Sequence, residues 1–167
     1  PAAQSSDADA GEVAVFGGGS FGLGAHPVVG GSTGVGFARN AMALFEVAFT
    51  PMGQATLRRP PAGVAQQDSR LFDFNLSFHI RVPVRERWAP YAILGGGLLW
   101  NPYYYVSGAQ GLLSSGEVNF GFHTGGGLRY YIRPDLGIRP ECKVIVSTRT
   151  HTRFTVGVFY NLPTDWP

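Results

Sequence analysis

The chain has 167 residues, enough for one domain with its own core, and its 13 basic and 11 acidic residues leave a net charge of +2. That balance is too slight to point to nucleic acid, and the single cysteine, Cys142, excludes an internal disulfide and a cysteine-based zinc site. Charged residues make up 14% of the chain, against about 25% in an ordinary soluble domain, so much of the surface is not dressed for water.

The chain opens on PAAQSSDADAGE, small and polar, which reads as a flexible mature N-terminus covering residues 1–11. No apolar run is long enough for a transmembrane helix, and no segment carries a capped 3.6-residue apolar period, so little or no helix is predicted. The first strand-like segment is Glu12–Phe21. Its Gly17 and Gly19, with Gly22 beyond, formally match G-x-G-x-x-G. A dinucleotide site needs a helix to follow, and here Leu23–Pro27 and another glycine-rich strand follow instead. No cofactor is expected.

Val28–Ala38 and Ala41–Thr50 come next, joined only by Arg39-Asn40. Pro51–Arg70, with Arg58, Arg59, Pro60 and Pro61, reads as an exposed irregular loop and not as a strand. Its arginines, Arg58, Arg59 and Arg70, could hold anionic groups such as lipopolysaccharide phosphates. As ordinary solvated loop residues they need no ligand.

Leu71–Val82 alternates without a fault from Phe72 onward. Phe72, Phe74, Leu76, Phe78, Ile80 and Val82 lie on one face; Asp73, Asn75, Ser77, His79 and Arg81 lie on the other. Period two over this length is a β-strand. Soluble strands usually have about five or six residues, whereas crossing a bilayer takes about nine to eleven. The apolar face therefore meets either a protein core or lipid. Ser77 and His79, with Asp73 further along, evoke a Ser/His/acid hydrolase. The alternation turns them away from any lipid, and no nucleophile elbow surrounds them, so no catalytic residue is assigned.

After a short link containing Arg85-Glu86-Arg87-Trp88 come Pro90–Tyr104, the longer connection Val106–Gly116, and Glu117–Ile132. The last sets Val118, Phe120, Phe122, Leu128, Tyr130 and Ile132 against Glu117, Asn119, His123, Arg129 and Tyr131. Arg133-Pro134-Asp135 leads to Leu136–Thr148, where Pro140 falls on the apolar face and predicts a bulge or strand end. Arg149–His151 leads to Thr152–Tyr160, with Phe154, Val156, Val158 and Tyr160 against Arg153, Thr155, Gly157 and Phe159.

The connections alternate in length. Those after the second, fourth and sixth segments are short; Gly22–Pro27, Pro51–Arg70 and Val106–Gly116 are longer, and of that second set only Arg149–His151 is short. Outer-membrane barrels have short periplasmic turns and longer outside loops, and a soluble barrel has no physical reason to sort its loops this way. The faces differ too. One is bulky and apolar, the other charged and rich in glycine and serine, as suits the narrow interior of a small closed barrel. Charges buried there must pair. The candidates for an interior network are Glu46, Asp73, Glu117 and Glu141 against Arg81, Arg129, Arg139 and Lys143. The alternative is a solvated polar face.

The triplets Gly17–Gly19, Gly95–Gly97 and Gly125–Gly127 fit the tight curvature of such a barrel. His26, His79, His123 and His151 have no metal-ligand spacing, so no metal is expected and they read as polar filler. Aromatics gather near predicted strand ends: Trp88 and Tyr91, Trp100 with Tyr103, Tyr104 and Tyr105, and Tyr130, Tyr131 and Tyr160. Girdles at two membrane interfaces would look like this, and so would core aromatics.

PYAILGGGLLW, NFGFHTGGGLRYYIRPDLGIRPECKV and TRFTVGVFY resemble the outer membrane protein β-barrel domain family, which includes OmpA/OmpX-type and opacity-type small barrels. The match is strongest over Pro90–Tyr160; the first half fits by pattern. The closing strand resembles the signal such barrels present to the outer-membrane assembly machinery, except that Asn161–Pro167 follow Tyr160. The resemblance implies an all-β, eight-stranded antiparallel up-and-down transmembrane barrel in a bacterial outer membrane. Residues 12–162 would form the barrel and 163–167 a tail. The expected protein is non-enzymatic and has no wide pore. Its partners would be outer-membrane lipids and lipopolysaccharide, with loops 51–70 and 106–116 free for a surface ligand and a role in envelope structure, adhesion or host contact. A soluble lipocalin-like barrel with its bulky face around an apolar ligand, and a lipid-modifying barrel enzyme, are the alternatives.

Overall fold

The computed structural model describes residues 11–22, 24–54, 64–82, 87–107 and 111–162, with backbone alone at 53–54, 64–68, 103–107 and 111–115. The expected N-terminal segment, apart from Gly11, and the tail 163–167 lie outside the described residues. So do Arg58, Arg59, Arg85 and Glu86.

Eight strands form one closed, all-antiparallel barrel in chain order: β1 (Gly11–Phe21), β2 (His26–Ala38), β3 (Ala41–Gln54), β4 (Val64–Arg81), β5 (Trp88–Ser107), β6 (Gly111–Tyr131), β7 (Leu136–Val146) and β8 (Thr150–Leu162). β1 closes onto β8 without interruption from Gly11↔Leu162 to Phe21↔Thr152. Closure satisfies the backbone groups of both end strands, the condition for crossing a bilayer with strands. The first connection turns on Gly22 and Gly24, both in the left-handed region at φ +108° and +104°. The apparent nucleotide motif thus ends in a turn glycine that leads into a strand.

All eight segments of the sequence reading are present, but the strands run further toward one end than the sequence suggests. β3 continues through Pro51 to Gln54 and β4 starts at Val64, so only 55–63 separates them. Register shifts at Pro51/Gly53 and Ala65/Asp68 carry the proline and the irregular composition inside paired strands. Likewise β5 reaches Ser107 and β6 begins at Gly111. Connection length therefore no longer sorts the two ends: 22–25, 55–63, 108–110 and 147–149 face 39–40, 82–87 and 132–135. Strand length does. β4, β5 and β6 have 18, 20 and 21 residues, whereas the other five have 11 to 14. This three-stranded extension marks the loop end; the tight turns, the start of β1 at Gly11 and the end of β8 at Leu162 mark the opposite, turn end.

Pro140 causes neither a bulge nor a strand end. β7 pairs with β8 straight through Pro140↔Val156. On the other side the β6–β7 pairs stop at Gly127↔Glu141 and resume in the same register at Tyr130↔Ile138. The missing amide leaves a gap in one ladder and does not shift it.

Candidate functional site

Alternate residues of each strand point into the barrel, and there the charges meet. Glu12 on β1 accepts from Arg129 through a close Nη1–Oε2 contact and a second bond, Nη2 to Oε1, at 3.2 Å. It also accepts from Arg139 Nη1 at 2.5 Å. Arg139 reaches Ser32 Oγ at 3.2 Å and brings its Nε within 2.7 Å of Glu141 Oε1. Lys143 Nζ bridges Glu46 at 2.6 Å and Glu141 at 3.1 Å. Arg153 on β8 spans Asp73, at 3.1 Å, and Glu46 in a close contact. Tyr91 Oη donates to Glu141 at 2.7 Å. All of these ions are buried. The four acids balance the four bases, and sharing partners is what makes such burial tolerable. Arg129 also lies over the Tyr91 and Phe159 rings, 5.5 and 5.0 Å from their centroids, and Arg153 over Phe16 at 5.7 Å.

Of the residues expected in this network, Glu46, Asp73, Arg129, Arg139, Glu141 and Lys143 are brought together. Arg81 lies near the turn end, half-buried, with Nη1 donating to Tyr131 Oη at 3.0 Å. Glu117 does not belong. It has the inward phase of β6 but stands exposed four residues before Gly121, the first buried position among the described side chains of that strand. Glu12 and Arg153 were missing from the expected set. Arg153 had the signal, a charge in phase with the polar face of its strand. Glu12 abuts a polar leader, which hid its phase.

The interior also holds apolar side chains. Leu71 is the next inward residue after Asp73 on β4, and Ile145 the next after Lys143 on β7; with Leu99 they form a buried cluster against which Met52 packs. Phe16, Val28 and Ala48 form a second. The first cluster seals the network from the loop end. Inward glycines leave room for large partners: a Cβ at Gly95 would sit 2.5 Å from His123 Nε2, and one at Gly137 2.5 Å from the Phe159 ring. Space, as well as curvature, explains their number.

Ser77 does not bond His79. Its Oγ lies 2.8 Å from His123 Nε2, while His79 stacks on Tyr91 with centroids 4.7 Å apart. Asp73 is held by Arg153, and His123 Nδ1 has no hydrogen-bond partner among the described residues. A serine beside a histidine is the start of a nucleophile–base pair, yet this one is sealed in the interior and lacks an orienting acid.

The outward face is the reverse. Val15, Leu94, Val118, Phe120, Phe122 and Val156 are each more than half exposed, and the phenylalanine side of β4 points out with Phe78 and Leu76 exposed. At the loop end Trp100 stacks on Phe72 at 5.4 Å, and Phe72 contacts Phe49 at 5.0 Å; at the turn end Trp88 packs on Tyr130 at 4.5 Å. These are two aromatic borders on one apolar belt. Tyr91, grouped with Trp88 in the sequence, is instead an inward, buried partner of Glu141. The side chains of Tyr103, Tyr104 and Tyr105 lie outside the described set.

No family model matches the sequence, and no curated protein matches it. Solved structures do match the fold. Neisserial surface protein A superposes with a TM-score of 0.62 at 14% identity, over 90% of this chain and 95% of that one. The N-terminal β-barrel domain of Pseudomonas aeruginosa OprF gives 0.61 at 15%, over 92% and 98%. Ail, the attachment invasion locus protein of Yersinia pestis, gives 0.60 at 14%, also over 92% and 98%. These neighbours are small eight-stranded outer-membrane barrels. At such identities the likeness fixes the fold, and the fold is the one that the resemblance in sequence implied.

Proposed function

We propose that this chain is a small barrel of a bacterial outer membrane, without enzymatic activity or a wide pore, that acts at the cell surface through the β4–β6 extension and its loops. The observation that carries this reading is the inversion of the barrel: paired charges inside, and a mainly apolar belt with aromatic borders outside. A belt of exposed phenylalanine, valine and leucine is unstable in water and stable in hydrocarbon. A lipocalin-like barrel needs the opposite arrangement, with its bulky face around a ligand. A lipid-modifying enzyme needs its serine where lipid reaches, whereas Ser77 and His123 are enclosed. Eight strands leave an interior that side chains just fill, and the buried arginines, lysine and rings occupy it here.

Surrounding lipid and lipopolysaccharide are the partners that the belt fits, and the closing strand fits recognition by the outer-membrane assembly machinery. Surface ligands would meet the regions 51–70 and 106–116. Cell fractionation tests the membrane part: the protein should stay with the envelope until detergent is added and should run faster on SDS gels unheated than heated. Release by detergent-free buffer would overturn it. The surface role is tested by cutting the β5–β6 hairpin back to the Pro102↔Gly116 pair. Cell attachment should fall while the heat-dependent gel shift remains; unchanged attachment would sink the adhesion role.

A further inference from the structure

At the turn end, each connection between consecutive strands carries an exposed arginine: Arg39 between β2 and β3, Arg87 between β4 and β5, and Arg133 between β6 and β7. The barrel order spaces them round the rim, at three of the four strand junctions of that end, the fourth being β8 to β1. Backbone bonds pin all three turns. Asn40 O accepts from Arg81 N at 2.8 Å, and Arg87 O accepts from Tyr131 N at 3.0 Å. Arg133 N donates to Leu136 O at 3.0 Å. Each arginine stands one or two residues from an exposed apolar side chain at the edge of the belt, namely Phe37, Trp88 and Ile132. Asp135, half-buried in the third turn, is the one acidic side chain described in these turns. The interior ions cancel and offer these guanidinium groups no net counter-charge.

We infer that Arg39, Arg87 and Arg133 form a ring that binds the phosphates of anionic phospholipids in the leaflet at the turn end. The inference rests on the membrane reading above. A guanidinium matches phosphate in shape and charge. Its aliphatic stem can lie along the belt while the head reaches the headgroup layer, and an anionic leaflet attracts each such cation. The ring fixes the depth of the barrel in the bilayer and selects the lipids around it.

Trp88 is a reporter beside Arg87. In a W100F/W166F background it is the sole tryptophan. The refolded barrel is placed in phosphatidylcholine vesicles, and quenching of Trp88 by brominated phosphatidylglycerol is compared with quenching by brominated phosphatidylcholine. Phosphatidylglycerol should be preferred by about fivefold at this position, the ratio that one arginine at an anionic surface provides. The preference should drop to near equality in R39Q/R87Q/R133Q and at high salt. An unchanged ratio in that variant, or no preference in the parent, overturns the ring. Absence of quenching by either lipid would be a different failure, that of the membrane reading itself.

Discussion

The ion network and the apolar belt are built from the same strands, one residue apart, and they obey opposite rules. Inside, Arg153 is indispensable for what it pairs with: Asp73 and Glu46 have been taken out of water on its account. Outside, Phe154 beside it needs only to be apolar. The network demands particular partners and tolerates no orphan. The belt demands a kind of surface and tolerates many shapes. What separates the two is the solvent each meets, since the backbone is common to both.

Three substitutions press on that contrast. Arg153→Leu keeps apolar volume but leaves Asp73 without its cation, and should cost about 3–5 kcal/mol, the penalty for breaking a buried pair. Guanidinium unfolding of the detergent-folded barrel measures it, and a loss under about 1 kcal/mol would mean that the interior is wet enough to screen its charges. Val156→Arg puts the same guanidinium on the outward face at the middle of β8 and should cost roughly 2–4 kcal/mol. The equilibrium should be read in lipid vesicles, because an indifferent protein there would deny that this face meets hydrocarbon. Gly97→Ala adds one inward methyl against the Phe74 carbonyl and the Asn75 side chain, an overpacking expected to cost about 1–3 kcal/mol. It should appear as a lower temperature for loss of the fast-running gel form; no change would show slack around β5.

The alternation in Leu71–Val82 and in β6 to β8 was enough to read the fold, because period two survives wherever one face is bulky and the other is not. It was weaker for β3, where Met42, Leu44 and Ala48 point inward and Phe45 and Val47 outward; both faces are apolar, and the charge of Glu46 is what marks the inside. The network was legible where a charge stood in phase inside a clear strand, as at Arg129 and Arg139. It failed at both margins. Glu12 borders a polar leader, and Glu117 has the right phase on a stretch of β6 that has already left the buried part of the barrel. The loop end was misread because proline and arginine between Pro51 and Arg70 mimic a loop, while pairing between neighbours and two register shifts keep much of it in strands. Phase along one strand is local information, whereas depth along the barrel is set by all eight strands together.

The partners of Glu12 have a consequence for how the molecule comes to exist. They sit on β6 and β7, more than a hundred residues along the chain, and Arg153 on β8 answers acids on β3 and β4. A sheet that has grown to five strands carries Glu12, Glu46 and Asp73 without any of the four bases that pair with them, Arg129, Arg139, Lys143 and Arg153. Adding strands does not relieve them one by one; joining β8 to β1 relieves them together. Half-built forms therefore carry unneutralised charge that the closed ring lacks. The interior thus rewards completion over progress, and an open intermediate has a reason to stay at an aqueous or chaperoned surface until its ends meet.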